Sequence, residues 1–210
     1  MARIEQRTLV VDGLAYHYPR TDRGLERCDL EAREGEVTVI RGESGSGKST
    51  LLACLGGILT PDRGTIRLAS GRGADVPLHS AIVTQGAALF EHLTVWQNVA
   101  TAWGWPRAAR RGHAIRVLDR FDVGRLADSL PREISFGQRQ RVAIAGAVAG
   151  DARLLLADEP TGSLDDANAD RVIAALRAAA EQRIVVVVTH DDRFARAADR
   201  TIHLDEGVTR

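Results

Sequence analysis

Of 28 cationic side chains only Lys48 is a lysine, and it stands in a glycine-rich run, Gly42-Glu43-Ser44-Gly45-Ser46-Gly47-Lys48-Ser49-Thr50. A compact ammonium on a thin stem fits between phosphate oxygens where a planar guanidinium does not. The run has the spacing G-x-x-x-x-G-K-[ST], in which glycines let the backbone wrap closely so that successive N–H groups point at phosphate oxygens. A helix starting at the end of such a loop adds its favourable dipole. In this pattern Lys48 neutralises terminal nucleotide phosphates and Ser49 offers a hydroxyl to Mg²⁺, a hard cation that takes oxygen ligands and phosphates together. A flexible Gly/Ser turn with an accidental lysine is the bland alternative. The apolar run before the loop, the helical pattern after it and the uniqueness of the lysine weigh against that alternative.

Two further segments end in groups that suit the same chemistry. Leu154-Leu155-Leu156-Ala157-Asp158-Glu159 sets two carboxylates just past an apolar strand, where open α/β sheets bind ligands. Asp158 would hold Mg²⁺ through its water shell, and Glu159 would polarise the water that attacks the γ-phosphate. Beside the phosphate loop this pair reads as a Walker B site. The valine run 184–189 ends in His190. A lone histidine after a strand is more often structural. Three strand ends, after Arg41, Ala157 and Thr189, each deliver a phosphate-competent residue to one rim, and that convergence favours a γ-phosphate sensor.

These groups need a frame. Alternating residues predict short antiparallel strands over 7–18 and 25–33, a strand at 37–41, and a helix from Gly47 through Leu55 that stops at Gly56-Gly57 and Pro61. A further strand is expected over 64–68. Short helices interrupted by Gly104 and Pro106 are expected from Thr94 to about Arg120, then a helix over 138–148. Strands at 154–157 and 184–189 flank a helix capped by Asp165 or Asp166, with Val172, Ile173, Leu176 and Ala180 on one face. A last strand falls at 201–204, before a Glu206-Gly207 turn. The fold class is therefore α/β: a mainly parallel, helix-covered sheet of a P-loop NTPase, with an N-terminal antiparallel β part and a small α-helical part.

Composition narrows the function further. Lys plus Arg equal Asp plus Glu at 28 each, which argues against a nucleic-acid partner. Cys28 and Cys54 form no metal-ligand spacing and read as core thiols. No apolar run reaches the roughly 18 to 20 residues of a membrane span, so no transmembrane segment is expected. Trp96, Trp103 and Trp105 gather in the helical part, as core packing or as a docking surface. Arg107, Arg110 and Arg111 read first as a solvated helix face.

Pro160-Thr161-Gly162-Ser163-Leu164-Asp165, directly after the carboxylates, resembles the D-loop of ABC (ATP-binding-cassette) ATPases, and Ile134-Ser135-Phe136-Gly137-Gln138 with the following residues resembles their L-S-G-G-Q signature. Gln85, ahead of 89–95, resembles their Q-loop, and Tyr18 lies about where they carry an adenine-stacking aromatic, with Tyr16 as its neighbour. Leu55-Gly56-Gly57 and Pro160-Thr161-Gly162 are closest to the branch of lipoprotein-release, macrolide-exporter and cell-division ATPases. The resemblance spans essentially the whole chain, as one domain with a catalytic core over 1–84 and 150–210 and a helical subdomain over 86–149.

That resemblance implies an ATP-hydrolysing subunit, cytoplasmic and peripheral on the inner face of the cell membrane, that pairs with a second ABC ATPase chain and drives integral membrane permease subunits. An ATP-gated regulator of a mechanotransmitting membrane partner is the alternative. The implied cofactors are ATP and Mg²⁺. Glu159, His190 and Lys48 would be catalytic, and Ser49, Gln85 and Asp158 would hold the metal. Nucleotide contacts would come from Tyr18, Gly42, Ser44 to Thr50 and Gln85, with Gly45, Ser46 and Gly47 lining the loop. The partner chain's Ser135 and Gly137 would complete the site, and Gln138 and Asp165 would also contact nucleotide. Three departures from the family pattern stand out: Phe136 where glycine is usual, Gly146 where arginine is usual, and a short stretch from Ser70 to Ser80.

Phe136 generates a first test. If the flanking Ser135 and Gly137 face the partner's phosphates, the ring between them points aside and is tolerated. Phe136→Gly should then change steady-state ATP hydrolysis by less than about threefold, or under roughly 0.7 kcal/mol. A gain of tenfold or more would instead mark Phe136 as an attenuating residue.

Overall fold

The computed structural model describes residues 7–21, 24–70, 78–104 and 107–209. Trp105, Pro106 and most of the short stretch between Ser70 and Ser80 lie outside the described residues. The chain runs β1 (Thr8–His17), β2 (Gly24–Arg33), β3 (Val37–Arg41), α1 (Lys48–Leu55), β4 (Arg63–Ala69), β5 (Ser80–Val83) and α2 (Val95–Ala100). It continues with α3 (Arg111–Asp119), α4 (Phe136–Ala149), β6 (Leu154–Asp158), α5 (Asp166–Ala180), β7 (Ile184–Val188), α6 (Asp192–Ala197), β8 (Arg200–Asp205) and β9 (Val208–Thr209).

All nine strands of the described residues join one sheet in the order β4-β1-β2-β9-β8-β3-β7-β6-β5. From β8 to β5 the pairing is parallel, while β4, β1 and β2 pair antiparallel. The antiparallel strands are not a separate sheet, because β9 bridges them to the parallel half. It pairs parallel to β2 at Arg27–Val208 and antiparallel to β8. The sheet is thus mixed, with its parallel half at the centre of the expected frame.

The continuous apolar runs of β6 and β7 have a direct cause. Side chains alternate between the two faces of a strand, so a strand covered on both sides needs apolar residues at every position. Leu155, Ala157, Val185 and Val187 enter one hydrophobic cluster with α4 and α5, whereas Leu154, Leu156, Ile184, Val186 and Val188 enter the other, with α1 and the antiparallel strands. Cys28 and Cys54 lie in the second cluster, and burial pushes their thiols up to about 12 and about 11. Both serve as packing groups.

Helix ends explain where the sequence reading was short. α4 starts at Phe136, two residues before the expected Gln138. Ser135 caps it, its Oγ accepting the Gln138 N–H at 3.3 Å while Gln138 Oε1 accepts the Ser135 N–H at 2.8 Å. Asp165, rather than Asp166, caps α5 by accepting the Asn168 N–H at 2.9 Å. Three short elements went unread: β5, a four-residue edge strand, α6, a helix of six residues, and β9, a two-residue strand. Trp103 packs partly buried against the first cluster and donates its ring N–H to Ala149 O at 2.9 Å, so here the core reading of the tryptophans holds. Among the described residues no helix is long and apolar enough to cross a membrane.

Candidate functional site

Register builds the site. Ile40 of β3 and Asp158 of β6 both pair with Val188 of β7, so the carboxyl ends of three neighbouring strands stand abreast. The chain leaves those ends as the Gly42–Ser49 loop, as Asp158-Glu159 and as Thr189-His190. Between them opens a cavity of about 490 Å³ lined by Ser44, Gly45, Gly47, Lys48, Ser49 and Thr50, with Gln85, Asp158, Glu159, His190, Tyr18 and Gly24. All three strand-end segments contribute to one cavity.

The loop needs glycine where it packs. Gly47 has φ +95°, and a Cβ there would lie 2.7 Å from the Leu25 side chain and 2.9 Å from Gly24 O. At Gly42 a Cβ would run into Leu204 O. Lys48 follows at the first position of α1 and donates to Gly42 O at 2.8 Å and Glu43 O at 2.6 Å, which draws the loop around its ammonium. Burial pulls the Lys48 pKa down, and Glu159 and Asp158 push it back up. Ser46 is buried in the loop and does not line this cavity.

Ser49 Oγ donates to Asp158 Oδ2 at 2.8 Å, which brings two hard oxygen donors from different elements together at the cavity wall. That donor set, with the exposed Gln85 amide on the same cavity, fits a Mg²⁺ ion that takes few protein oxygens and shares nucleotide phosphates. Tyr18 lines the cavity and shares a hydrogen bond with Thr50 Oγ1 at 3.3 Å. Tyr16 instead packs on the core, edge-on to Tyr18 at 5.0 Å. Of the two tyrosines, only Tyr18 is presented to a ligand.

Glu159 sits at φ +46°, an uncommon conformation for a residue with a side chain. Its N–H donates to Val188 O at 2.8 Å, and its carboxylate accepts from Thr189 Oγ1 at 2.9 Å and from the His190 N–H at 3.1 Å. His190 Nε2 lies 3.8 Å from Glu159 Oε1. Arg41 ties the other side of this segment, donating to Asp192 Oδ1 at 2.8 Å and to His190 O at 3.4 Å. Asp191 accepts from Thr161 Oγ1 at 2.8 Å and from the Arg193 guanidinium at 2.8 to 3.1 Å. Asp191 and Arg193 escaped the sequence reading, in which Thr161 and Thr189 entered only as members of the D-loop-like segment and of the valine strand. The run Thr189-His190-Asp191 was the available signal, and only its histidine was weighed.

The signature-like residues lie elsewhere. Ser135, Gly137, Gln138 and Asp165 line a separate cavity of about 190 Å³ with Ser163 and Leu164. None of the four lines the Lys48 cavity. Phe136, between Ser135 and Gly137, stands 47% exposed. A third cavity, about 470 Å³, runs between β5, α2 and α4 and includes Gly146 but none of the expected site residues.

A phosphate-binding loop after a parallel strand, with carboxylates and a histidine on adjacent strand ends, defines the chain as a P-loop nucleotide-binding protein of the α/β class. Residues 25–162 match the ABC transporter family, and the chain belongs to that family of ATP-binding cassettes. It is 38% identical over 211 residues to the macrolide export ATP-binding/permease protein MacB 1/2 of Paracoccus denitrificans (strain Pd 1222), covering 93% of this chain and 32% of that protein. It is 39% identical over 195 residues to an uncharacterized ABC transporter ATP-binding protein of Mycobacterium bovis (strain ATCC BAA-935 / AF2122/97), covering 87% and 59%. The chain thus spans less than two thirds of the length of these curated relatives. Among solved structures it is similar to a dimeric ATP-binding cassette in a post-hydrolysis state bound to ADP and Pi, with a TM-score of 0.84, 30% identity and 96% of each chain covered. The macrolide-exporter resemblance read from the motifs agrees with these relatives.

The network behind Glu159 gives a pH-dependent prediction. Hydrogen bonds from Arg193 first, then from the Arg193 N–H and Thr161, lower the Asp191 pKa from 3.8 to about 2. A carboxylate with a depressed folded-state pKa stabilises the fold above its unfolded pKa, and that contribution is lost as pH falls through the folded value. Asp191→Asn should therefore unfold at lower urea than the wild type at neutral pH. The gap should narrow as pH drops from about 4 toward about 2. A gap that stays constant over that range would show that the Asp191 charge contributes no stability.

Proposed function

We propose that the chain is an ATP-hydrolysing nucleotide-binding subunit that pairs with a second ABC ATPase chain and drives integral membrane permease subunits. The observation that carries this reading is the division of the site. Lys48, Ser49, Asp158, Glu159 and His190 share one cavity, while Ser135 and Gly137 line another. A single chain then holds ATP on one side only, and a partner's Ser135 hydroxyl and Gly137 N–H, at the start of a 14-residue helix, supply the missing donors. The dimeric cassette similar to this chain supports that arrangement.

Within the cavity each group has a task. The loop N–H groups and Lys48 bind and neutralise the β- and γ-phosphates, and Tyr18 stacks on the adenine. Ser49 and Asp158, with Gln85, would hold Mg²⁺, which would supply positive charge against the negative charge developing on the phosphates. Glu159 orients and polarises the attacking water, and His190 contacts the γ-phosphate. Gln138 and Asp165, both engaged in helix capping, shape the surface that meets the partner.

We assign residues 1–84 and 150–210 to the catalytic core and 86–149 to a helical subdomain. The groove between β5, α2 and α4, next to Gln85, is the surface through which that subdomain passes motion to a permease. This reading puts the chain in the cytoplasm, on the inner face of the cell membrane.

Glu159→Gln tests the catalytic and dimeric parts together. The amide keeps shape and hydrogen bonding but does not accept charge from the attacking water, so hydrolysis should fall by about 100-fold or more while ATP still binds. With ATP and Mg²⁺ the variant should elute as a dimer in size exclusion. A variant that binds ATP yet stays monomeric at saturating nucleotide would contradict pairing between copies of this chain.

A further inference from the structure

Thr189, the residue before His190, is fully buried between the two strand-end segments. Its hydroxyl oxygen accepts the Asp191 N–H at 3.0 Å. A hydroxyl has one proton to give, and a carboxylate can only accept. The Thr189 proton therefore goes to Glu159 Oε2, 2.9 Å away. The His190 N–H bonds the same carboxylate, at 3.1 Å from Oε1 and 3.4 Å from Oε2. Oε1 is the oxygen that lies 3.8 Å from His190 Nε2, and both residues line the cavity.

Asp191, which sets the direction of the Thr189 hydroxyl, is itself held on several sides. Its Oδ2 accepts the Thr161 hydroxyl at 2.8 Å, and Arg193 forks onto both carboxylate oxygens while also reaching Asp166 Oδ1 at 2.8 Å. Thr161 is buried and lies two residues beyond Glu159 on the chain. A ring thus closes from Glu159 along the chain to Thr161, across to Asp191, back to Thr189 and on to Glu159. It joins the turn after β6 to the turn after β7.

We infer that Thr189 is a positioning residue for ATP hydrolysis. Its hydroxyl, aimed by the Asp191 N–H, occupies Glu159 Oε2 and leaves Oε1 turned toward the attacking water beside His190. This rests on the assignment of Glu159 as the group that orients that water. It adds the reason why the carboxylate keeps one orientation although its backbone is in the left-handed region. The hydroxyl is engaged by Glu159 and the Asp191 N–H and Thr189 does not line the cavity, so its loss should be felt in the chemical step and not in ATP binding.

Thr189→Val keeps the volume and removes the hydroxyl. Because small misplacements of a reacting group are costly, kcat for ATP hydrolysis should fall about tenfold or more while KM for ATP stays within about twofold. Thr189→Ser keeps the hydroxyl and should retain kcat within about threefold of the wild type. A Val variant with kcat within twofold of the wild type would overturn the inference, as would a Ser variant that loses as much as Val. Thermal midpoints accompany each measurement. Should Thr189→Val fail to fold, Thr189→Ser against Thr189→Ala makes the same comparison, since the two differ by the hydroxyl, and equal kcat in both would overturn it. Glu159→Gln is measured alongside. Wild-type hydrolysis in that variant sinks the Glu159 assignment itself, whereas a slow Glu159→Gln with a fast Thr189→Val sinks only the role of Thr189.

Discussion

The site depends on β7 being hydrogen-bonded on both sides, to β3 and to β6, in a register that ends all three strands at one level. Neighbouring strands lie under 5 Å apart, so whatever follows each strand is delivered within reach of the others. The position of β7 is held by hydrogen bonds to a strand on each side and by the packing of its two faces into separate buried clusters. The rigidity of the rim is therefore a consequence of packing far from any phosphate. It lets three loops, each irregular by itself, present a cation, two carboxylates and an imidazole to one cavity.

On that frame the polar groups are held by one another. Lys48 binds carbonyls of its own loop, Ser49 reaches Asp158, and Glu159 is tied to the segment 188–191 at its backbone and at its carboxylate. A left-handed backbone at a residue with a side chain costs roughly 1–2 kcal/mol. At Glu159 three hydrogen bonds and the flanking strand ends fix that conformation, and a strained residue held this way at a strand end is a mark of function more than of folding. The same economy runs through the helix starts, where Ser135, Gln138 and Asp165 cap backbone N–H groups with the side chains that the family pattern assigns to nucleotide contact.

Much of this was legible in the sequence because it is local. The P-loop spacing, the apolar β6 and β7 runs and the choice of Asp165 or Asp166 as a cap are all set by residues within a few positions of one another, whereas the Ser135 cap, two residues ahead of the expected helix start, was not read. What escaped depends on contacts across the chain. β5 and β9 are too short to show a period, and each exists because a neighbour supplies its hydrogen bonds. The joining of the antiparallel strands to the parallel half through β9 has no local signature at all. Thr189 and Thr161 read as ordinary strand and loop residues, and their tie through Asp191 connects positions thirty apart in sequence. Tyr18 and Tyr16 could not be ranked by pattern, and burial alone separates them.

Two cavities, one with Lys48 and the other with Ser135, underlie the proposal that each catalytic site is completed by a second ABC ATPase chain, tested with a second copy of this one. The most direct measurement mixes two inactive variants. Lys48→Ala spoils the phosphate loop and keeps the signature segment, whereas Ser135→Arg does the reverse. In a mixed pair, one of the two composite sites joins the intact Lys48 of one chain to the intact Ser135 of the other. ATP hydrolysis by the mixture should rise well above the sum of the two variants assayed apart. A mixture no more active than that sum would contradict a site shared between two copies.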